Sequence, residues 1–235
     1  MLGLPDGITA LLFDLDGVLT QTAKIHAAAW KQMFDEFLRE REGESFRPFD
    51  AQEDYNEYVD GRPRYDGVRS FLRSRGMPYD DALVRRLGDR KNEIVLGLIR
   101  TQGVEVYEGS LRYLRAAREA GLRRAVVSSS ANTADVLRVT GLADLLEERI
   151  DGVVAQQRQL AGKPAPDTFL EGARRLGADP AHAAVFEDAL AGVEAGRAGR
   201  FGIVVGVDRV GHAEALREHG ADRVVRDLAE LLDES

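Results

Sequence analysis

The chain has 235 residues, enough for one large domain or for a core carrying a modest insertion. Asp and Glu number 40 against 32 Lys and Arg, a formal charge of -8, so no global pull toward nucleic acid or anionic membrane exists and any cationic site is local. The absence of cysteine excludes thiol nucleophiles, Cys-ligated zinc and disulfides.

The opening residues Met1-Leu2-Gly3-Leu4-Pro5-Asp6 show neither a basic segment nor a long apolar run. The expectation is therefore a cytoplasmic protein without signal peptide or membrane span. An apolar run at 8 to 14 then reads as a buried strand, and it ends in Asp14-Leu15-Asp16-Gly17. Alternation points Asp14 and Asp16 the same way. Two close carboxylates repel and lose solvation, so such a pair calls for a cation between them or a retained proton. The plainer reading is a polar strand end entering an Asp-Gly turn.

From Ala23 to Glu40, Ile25, Ala29, Met33, Phe34 and Phe37 recur at helical spacing with charges opposite. Gly43 and Pro48 break this helix, and Gln52 to Val59 is short, acidic and aromatic. Further helices are predicted over Tyr65 to Arg75, stopped by Gly76 and Pro78, and over Asp80 to Arg100. From Tyr107 the texture changes to β-branched runs alternating with helical patterns, the signature of βαβ units. Strands are predicted at 122–128, 149–154, 183–187, 202–207 and 222–225, with helices at 110–120, 131–139, 166–177, 189–199 and 212–219. The opening strand finds no partner in the helical stretch and must join this later sheet. The expected fold is α/β, a Rossmann-like parallel sheet formed by residues 1–21 and 104–235, with a helical domain, 22–103, inserted after its first strand.

Ligands of open α/β sheets gather outside the carboxyl ends of the strands. The predicted strands deliver there Asp14 and Asp16, then Ser128-Ser129-Ser130, then Glu187-Asp188, and the loop Gly162-Lys163-Pro164 adds a lysine. Taken singly, the serines could be helix caps, Lys163 a solvated loop charge and Glu187-Asp188 a capping pair. Together, hard oxygen ligands without Cys or clustered His favour Mg²⁺ over zinc. Carboxylates with Mg²⁺, a lysine and a hydroxyl suit a phosphoryl group.

These motifs resemble, in order and combination, those of the haloacid dehalogenase superfamily of aspartate-nucleophile phosphotransferases. Asp14-Leu15-Asp16-Gly17 is similar to its first motif, Ser128 to the second, Lys163 to the third and Glu187-Asp188 to the fourth, and the inserted helices resemble its four-helix cap. Gly17 to Thr22, His26, Trp30 and Gly162 to Asp167 resemble the β-phosphoglucomutase-like branch. The resemblance implies an aspartyl phosphate on Asp14, acid–base catalysis by Asp16, and phosphate binding by Ser128 and Lys163. It also implies Mg²⁺ held by Asp14, the Asp16 carbonyl, Asp188 and Glu187. Thr22, His26, Arg64, Ser129, Ser130 and Asn132 are the expected substrate-binding residues.

The expected activity is hydrolysis of a small phosphomonoester, such as a sugar phosphate, with phosphomutase action as the nearest alternative. The branch pattern has lysines where this chain has Asp60 and Ala131, and an Asp where it has Gln21. Missing cations weaken the hold on a second phosphate and favour hydrolysis. A receiver-like signalling domain is the alternative from another class, disfavoured by the helical insert and the length. A true dehalogenase would give Asp16 no leaving oxygen to protonate. A monomer acting on a small phosphorylated substrate, with no nucleic-acid or membrane partner, is expected.

Overall fold

The computed structural model describes residues 2–232; Met1 and residues 233–235, at the two edges of the expected core, lie outside the described residues. In chain order the regular elements are β1 (Ala10–Phe13), α1 (Thr22–Glu42), α2 (Arg64–Ser74), α3 (Asp81–Gln102), α4 (Glu108–Glu119), β2 (Arg123–Val127), α5 (Thr133–Thr140), β3 (Glu148–Ile150), α6 (Gly152–Arg158), α7 (Asp167–Arg175), β4 (Ala183–Glu187), α8 (Leu190–Ala198), β5 (Ile203–Val207), α9 (Ala213–Glu218) and β6 (Arg223–Val225). A π-helical turn covers Tyr55–Val59, and α1, α2 and α3 enclose the chain that carries it.

The strands form one parallel sheet in the order β3-β2-β1-β4-β5-β6. β1 sits in its middle, with Phe13 opposite Val126 on one side and Phe186 on the other. A strand covered on both faces is apolar at every position, and all four residues of β1 are buried. Leu11 and Phe13 pack with Tyr113, Leu114 and Leu137 from α4 and α5. Ala10 and Leu12 pack on the opposite face with Phe169 and Ala173 of α7 and Val193 of α8. The central strand is thus fixed by hydrophobic contact on both faces, so its carboxyl end is a well-supported place on which to mount a reactive group.

The helices between β1 and α4 have a separate core built on aromatic rings. Trp30 stacks on Phe34, and Phe34 meets Phe71 with ring centroids 4.0 Å apart. Two chain segments join this helical unit to the sheet, and they are tied to each other: Gln21 N–H donates to Glu105 O (2.8 Å) and Tyr107 N–H to Leu19 O (3.0 Å). Among the described residues no helix is long and apolar enough to cross a membrane.

The strand predicted at 149–154 divides into two elements. β3 stops at Ile150 because the Asp151 side chain accepts a hydrogen bond from Val154 N–H (2.9 Å), starting α6. The apolar pair Val153-Val154 disguised that turn, and Val153 is exposed at 41%. The helix expected from 131 begins two residues later, at Thr133.

Candidate active site

The loops leaving β1, β2 and β4 and the one preceding α7 converge on a pocket of about 400 Å³ roofed by the helical unit. Asp14 follows β1 directly, and its N–H donates to Phe186 O at 2.9 Å. Lys163, only 3% exposed, donates from Nζ to Asp14 Oδ1 (2.5 Å), Glu187 Oε1 (2.6 Å) and Val127 O (3.1 Å). It therefore joins the ends of three adjacent strands. The Glu187 carboxylate is fixed further by Ala189 N–H (2.9 Å).

Carboxylate oxygens of Asp14, Glu187 and Asp188 lie within 4.8 Å of one another. Burial, followed by the neighbouring carboxylates, pushes Asp188 well above the usual carboxylate range. Burial does the same to Asp14, and Lys163 opposes it only in part. The two carboxylates raise the Lys163 ammonium above its ordinary value although burial works the other way. Three acidic groups against one lysine form an oxygen-only, charge-deficient set, and that set fits a hard divalent cation such as Mg²⁺. Gly17 holds φ +89°, and a Cβ there would overlap the Asp188 carboxylate, so this turn can approach the acidic set only without a side chain.

The Asp16 side chain stands outside that set and belongs to a second network. Its Oδ1 accepts from Thr22 Oγ1 and lies 3.5 Å from His26 Nε2, and the other ring nitrogen, Nδ1, is 2.7 Å from Lys91 Nζ. Burial favours the protonated acid, but the His26 imidazole, the Thr22 hydroxyl and the Lys91 charge outweigh it and bring Asp16 to about 2. The two aspartates of one motif thus meet opposite electrostatic environments, the separation expected of groups with different chemical tasks.

The remaining predicted residues also line the pocket. Ser128, buried, accepts from Ser130 N–H (3.1 Å). Ser129 Oγ donates to Gly61 O (2.8 Å) and Asn132 Nδ2 to Asn92 Oδ1 (2.9 Å), so two of the expected substrate residues here hold the helical unit down. Ser130 Oγ accepts from Asn132 N–H. Arg64 opens α2 and lies 3.7 Å from Asp89, with its guanidinium over the Tyr65 ring. Gly61, at φ +66°, sets its backbone against Ala189, immediately after Asp188.

Lys91 escaped the sequence reading, although a signal was present. The buried positions of α3 are Val84, Leu87, Gly88, Lys91, Ile94 and Val95, which places a lysine on the apolar stripe. Burial draws its ammonium down to about 7, and it lies 4.8 Å from the centre of the Trp30 ring. Asp60 is the converse case, a carboxylate that burial raises to about 7.

Residues 8–200 match the haloacid dehalogenase-like hydrolase family. The chain belongs to this family. It is 55% identical to a beta-phosphoglucomutase of Mycobacterium bovis, an alignment covering 99% of this chain and 94% of that protein. In fold it resembles the beta-phosphoglucomutase of Clostridium difficile, with a TM-score of 0.79, 27% identity and coverage of 95% and 93% of the two chains. A haloacid dehalogenase family hydrolase of Deinococcus radiodurans, solved with phosphate and sodium bound, gives a TM-score of 0.66 at 32% identity, covering 97% of this chain and 94% of that one. The chain is thus an enzyme of the haloacid dehalogenase type.

Proposed function

We propose that this enzyme is a sugar phosphomutase that interconverts β-glucose 1-phosphate and glucose 6-phosphate through an aspartyl phosphate on Asp14. The observation that carries the proposal is the pairing of two carboxylates on one turn, Asp14 beside Lys163 and Asp16 beside His26, in a pocket to which the helical unit brings three cations, Arg62, Arg64 and Lys91. The full-length likeness to a beta-phosphoglucomutase supports it. Residues 22–103 act as the cap and residues 1–21 with 104–235 as the phosphotransferase core.

In this reading an Asp14 oxygen attacks one phosphorus of glucose 1,6-bisphosphate as the bond to the leaving sugar oxygen breaks, and Asp16 gives that oxygen its proton, releasing a glucose monophosphate. In the return step Asp16 takes the proton from the 6-hydroxyl of β-glucose 1-phosphate, and the phosphoryl group passes from Asp14 to that oxygen, regenerating the bisphosphate. Lys163 and Ser128 hold phosphate oxygens. Asp14, the Asp16 carbonyl, Glu187 and Asp188 would hold Mg²⁺, which when bound would neutralise negative charge at the site. The phosphate that stays on the sugar meets Arg64, Ser130 and Asn132, and the contacts from Gly61 to Ser129 and from Asn92 to Asn132 keep water from the acyl phosphate.

Hydrolysis stays a second reading because Asp60 puts a carboxylate in the roof, where the branch pattern has a lysine. The experiment is to incubate enzyme, Mg²⁺, β-glucose 1-phosphate and a trace of glucose 1,6-bisphosphate, following glucose 6-phosphate and free phosphate together. Rapid glucose 6-phosphate with little free phosphate is expected. Free phosphate without isomerisation would make the enzyme a phosphatase.

A further inference from the structure

Arg209 lies outside the pocket, in the loop between β5 and α9, yet its guanidinium is the most heavily engaged one near the catalytic turn. Its Nε donates to Gly17 O (2.9 Å), and Nη2 lies 3.4 Å from both Val18 O and Ser110 Oγ. Nη1 donates to Arg226 O (2.7 Å) and Asp227 Oδ2 (2.9 Å), and the guanidinium carbon sits 3.6 Å from the centre of the Tyr107 ring. The loop that carries it is itself fixed: Asp208 Oδ1 accepts from the N–H groups of Gly211 (2.7 Å) and His212 (2.9 Å), and Asp208 N–H donates to Val225 O (2.7 Å).

These contacts join three pieces of chain: the turn after Asp16, the segment by which the chain returns from the helical unit, and the carboxyl-terminal end of the sheet. Two carbonyls of a catalytic turn rest on one planar donor whose Nη1 is anchored to the Arg226 carbonyl and the Asp227 carboxylate just after β6, an arrangement that a flexible ammonium cannot reproduce. We infer that Arg209 is a positioning residue that locks the Gly17-Val18 backbone and thereby holds the Asp16 carboxyl at its proton-transfer distance while the cap opens and closes. The inference rests on the acid–base role proposed for Asp16.

The test compares wild type, Arg209→Met and Arg209→Lys in single turnovers that phosphorylate Asp14. With glucose 1,6-bisphosphate the leaving oxygen needs a proton; with p-nitrophenyl phosphate it does not. Arg209→Met is expected to slow the first by about 10- to 100-fold, part of the full general-acid contribution, and to leave the nitrophenolate burst within about twofold of wild type. Arg209→Lys should fall between. Equal loss on both donors, or no loss on either, overturns the inference. If wild type phosphorylates from neither donor, the proposed function fails on its own, and hydrogen exchange then decides for Arg209. The amides of Gly17, Leu19 and Thr20, bonded to Thr20 O, Leu15 O and Leu15 O, should exchange faster in Arg209→Met than in wild type. Unchanged exchange there overturns the inference as well.

Discussion

Replacing Lys163 by Met removes the one ammonium that balances Asp14 and Glu187, while keeping much of the buried stem. Two carboxylates and the Val127 carbonyl lose their donor in a place where Lys163 is 3% and Glu187 0% exposed. Breaking a buried pair from one side costs about 3 to 5 kcal/mol. At about 2 to 4 °C per kcal/mol for a chain of this size, Tm at pH 8 without metal should drop by about 6 to 20 °C. The pH dependence follows from the direction of the Asp14 shift. Its folded pKa is raised above the unfolded value, so the folded state binds the extra proton, and the penalty on stability appears as pH rises through the folded pKa. Loss of Lys163 raises that pKa further, so the gap between variant and wild type should be wide at pH 8 and narrow at pH 5. Millimolar Mg²⁺ should restore part of the loss, because it replaces the missing positive charge. Differential scanning calorimetry at the two pH values, with and without Mg²⁺, measures all three effects. An unchanged Tm at pH 8, or a gap that widens toward pH 5, would refute the charge-balance account.

Asp14→Asn should abolish turnover while remaining folded, and beryllium fluoride, which mimics phosphate on a carboxylate, should bind wild type and not the variant; turnover in purified Asp14→Asn rules out the proposed nucleophile. Asp16→Asn should lose roughly 10²- to 10⁴-fold in kcat, yet bind Mg²⁺ better than Asp188→Ala in calorimetric titration, since its expected ligand is a backbone carbonyl; equal metal loss in both contradicts that assignment. Lys91 has a folded value of about 7, below its unfolded one, so the folded state binds fewer protons between about pH 7 and pH 10 and stability should climb with pH there. Lys91→Met should flatten that climb in urea melts, and a slope equal to wild type argues against the buried ammonium.

Much of this fold is legible in the chain because its regular elements obey simple periods. β1 is apolar at every position since it is covered on both faces, α1 repeats Trp30, Phe34 and Phe37 at helical spacing because one stripe of it is buried, and α3 does the same with the aliphatic Val84, Leu87, Ile94 and Val95. The failure at 149–154 has an equally definite cause: Val153 and Val154 read as strand, while the Asp151 cap decides for helix through a backbone contact that period alone does not reveal. The site divides along the same line. Residues delivered by strand ends, Asp14, Ser128 and Glu187, can be placed from topology, because each ends a segment whose neighbours in the sheet are fixed. Lys91 reaches His26 from an α-helix and Arg209 reaches the catalytic turn from a distant loop, and a charged residue in either context reads as solvated until the surfaces facing it are known.

The same distinction bears on which phosphoryl acceptor wins. Counted along the sequence, the roof loses positive charge, because Asp60 stands in place of a lysine. Counted in space, Lys91 restores one cation, but its Nζ is 2.7 Å from His26 Nδ1 and spends its field on Asp16. Arg62 shares the pocket wall, and the second phosphate of the proposed reaction is assigned to Arg64, 3.7 Å from Asp89. Its guanidinium offers two parallel donors, which suit one phosphate better than a pair of point charges would. In the proposed mutase reaction, holding the bisphosphate while it reorients therefore falls to these guanidinium contacts with Ser130 and Asn132 beside them. In the same proposal, water exclusion falls to the seal formed by the hydrogen bonds of Ser129 to Gly61 and Asn132 to Asn92. The mutase proposal therefore requires that seal to stay shut between the two half-reactions, more than it requires many positive charges in the roof.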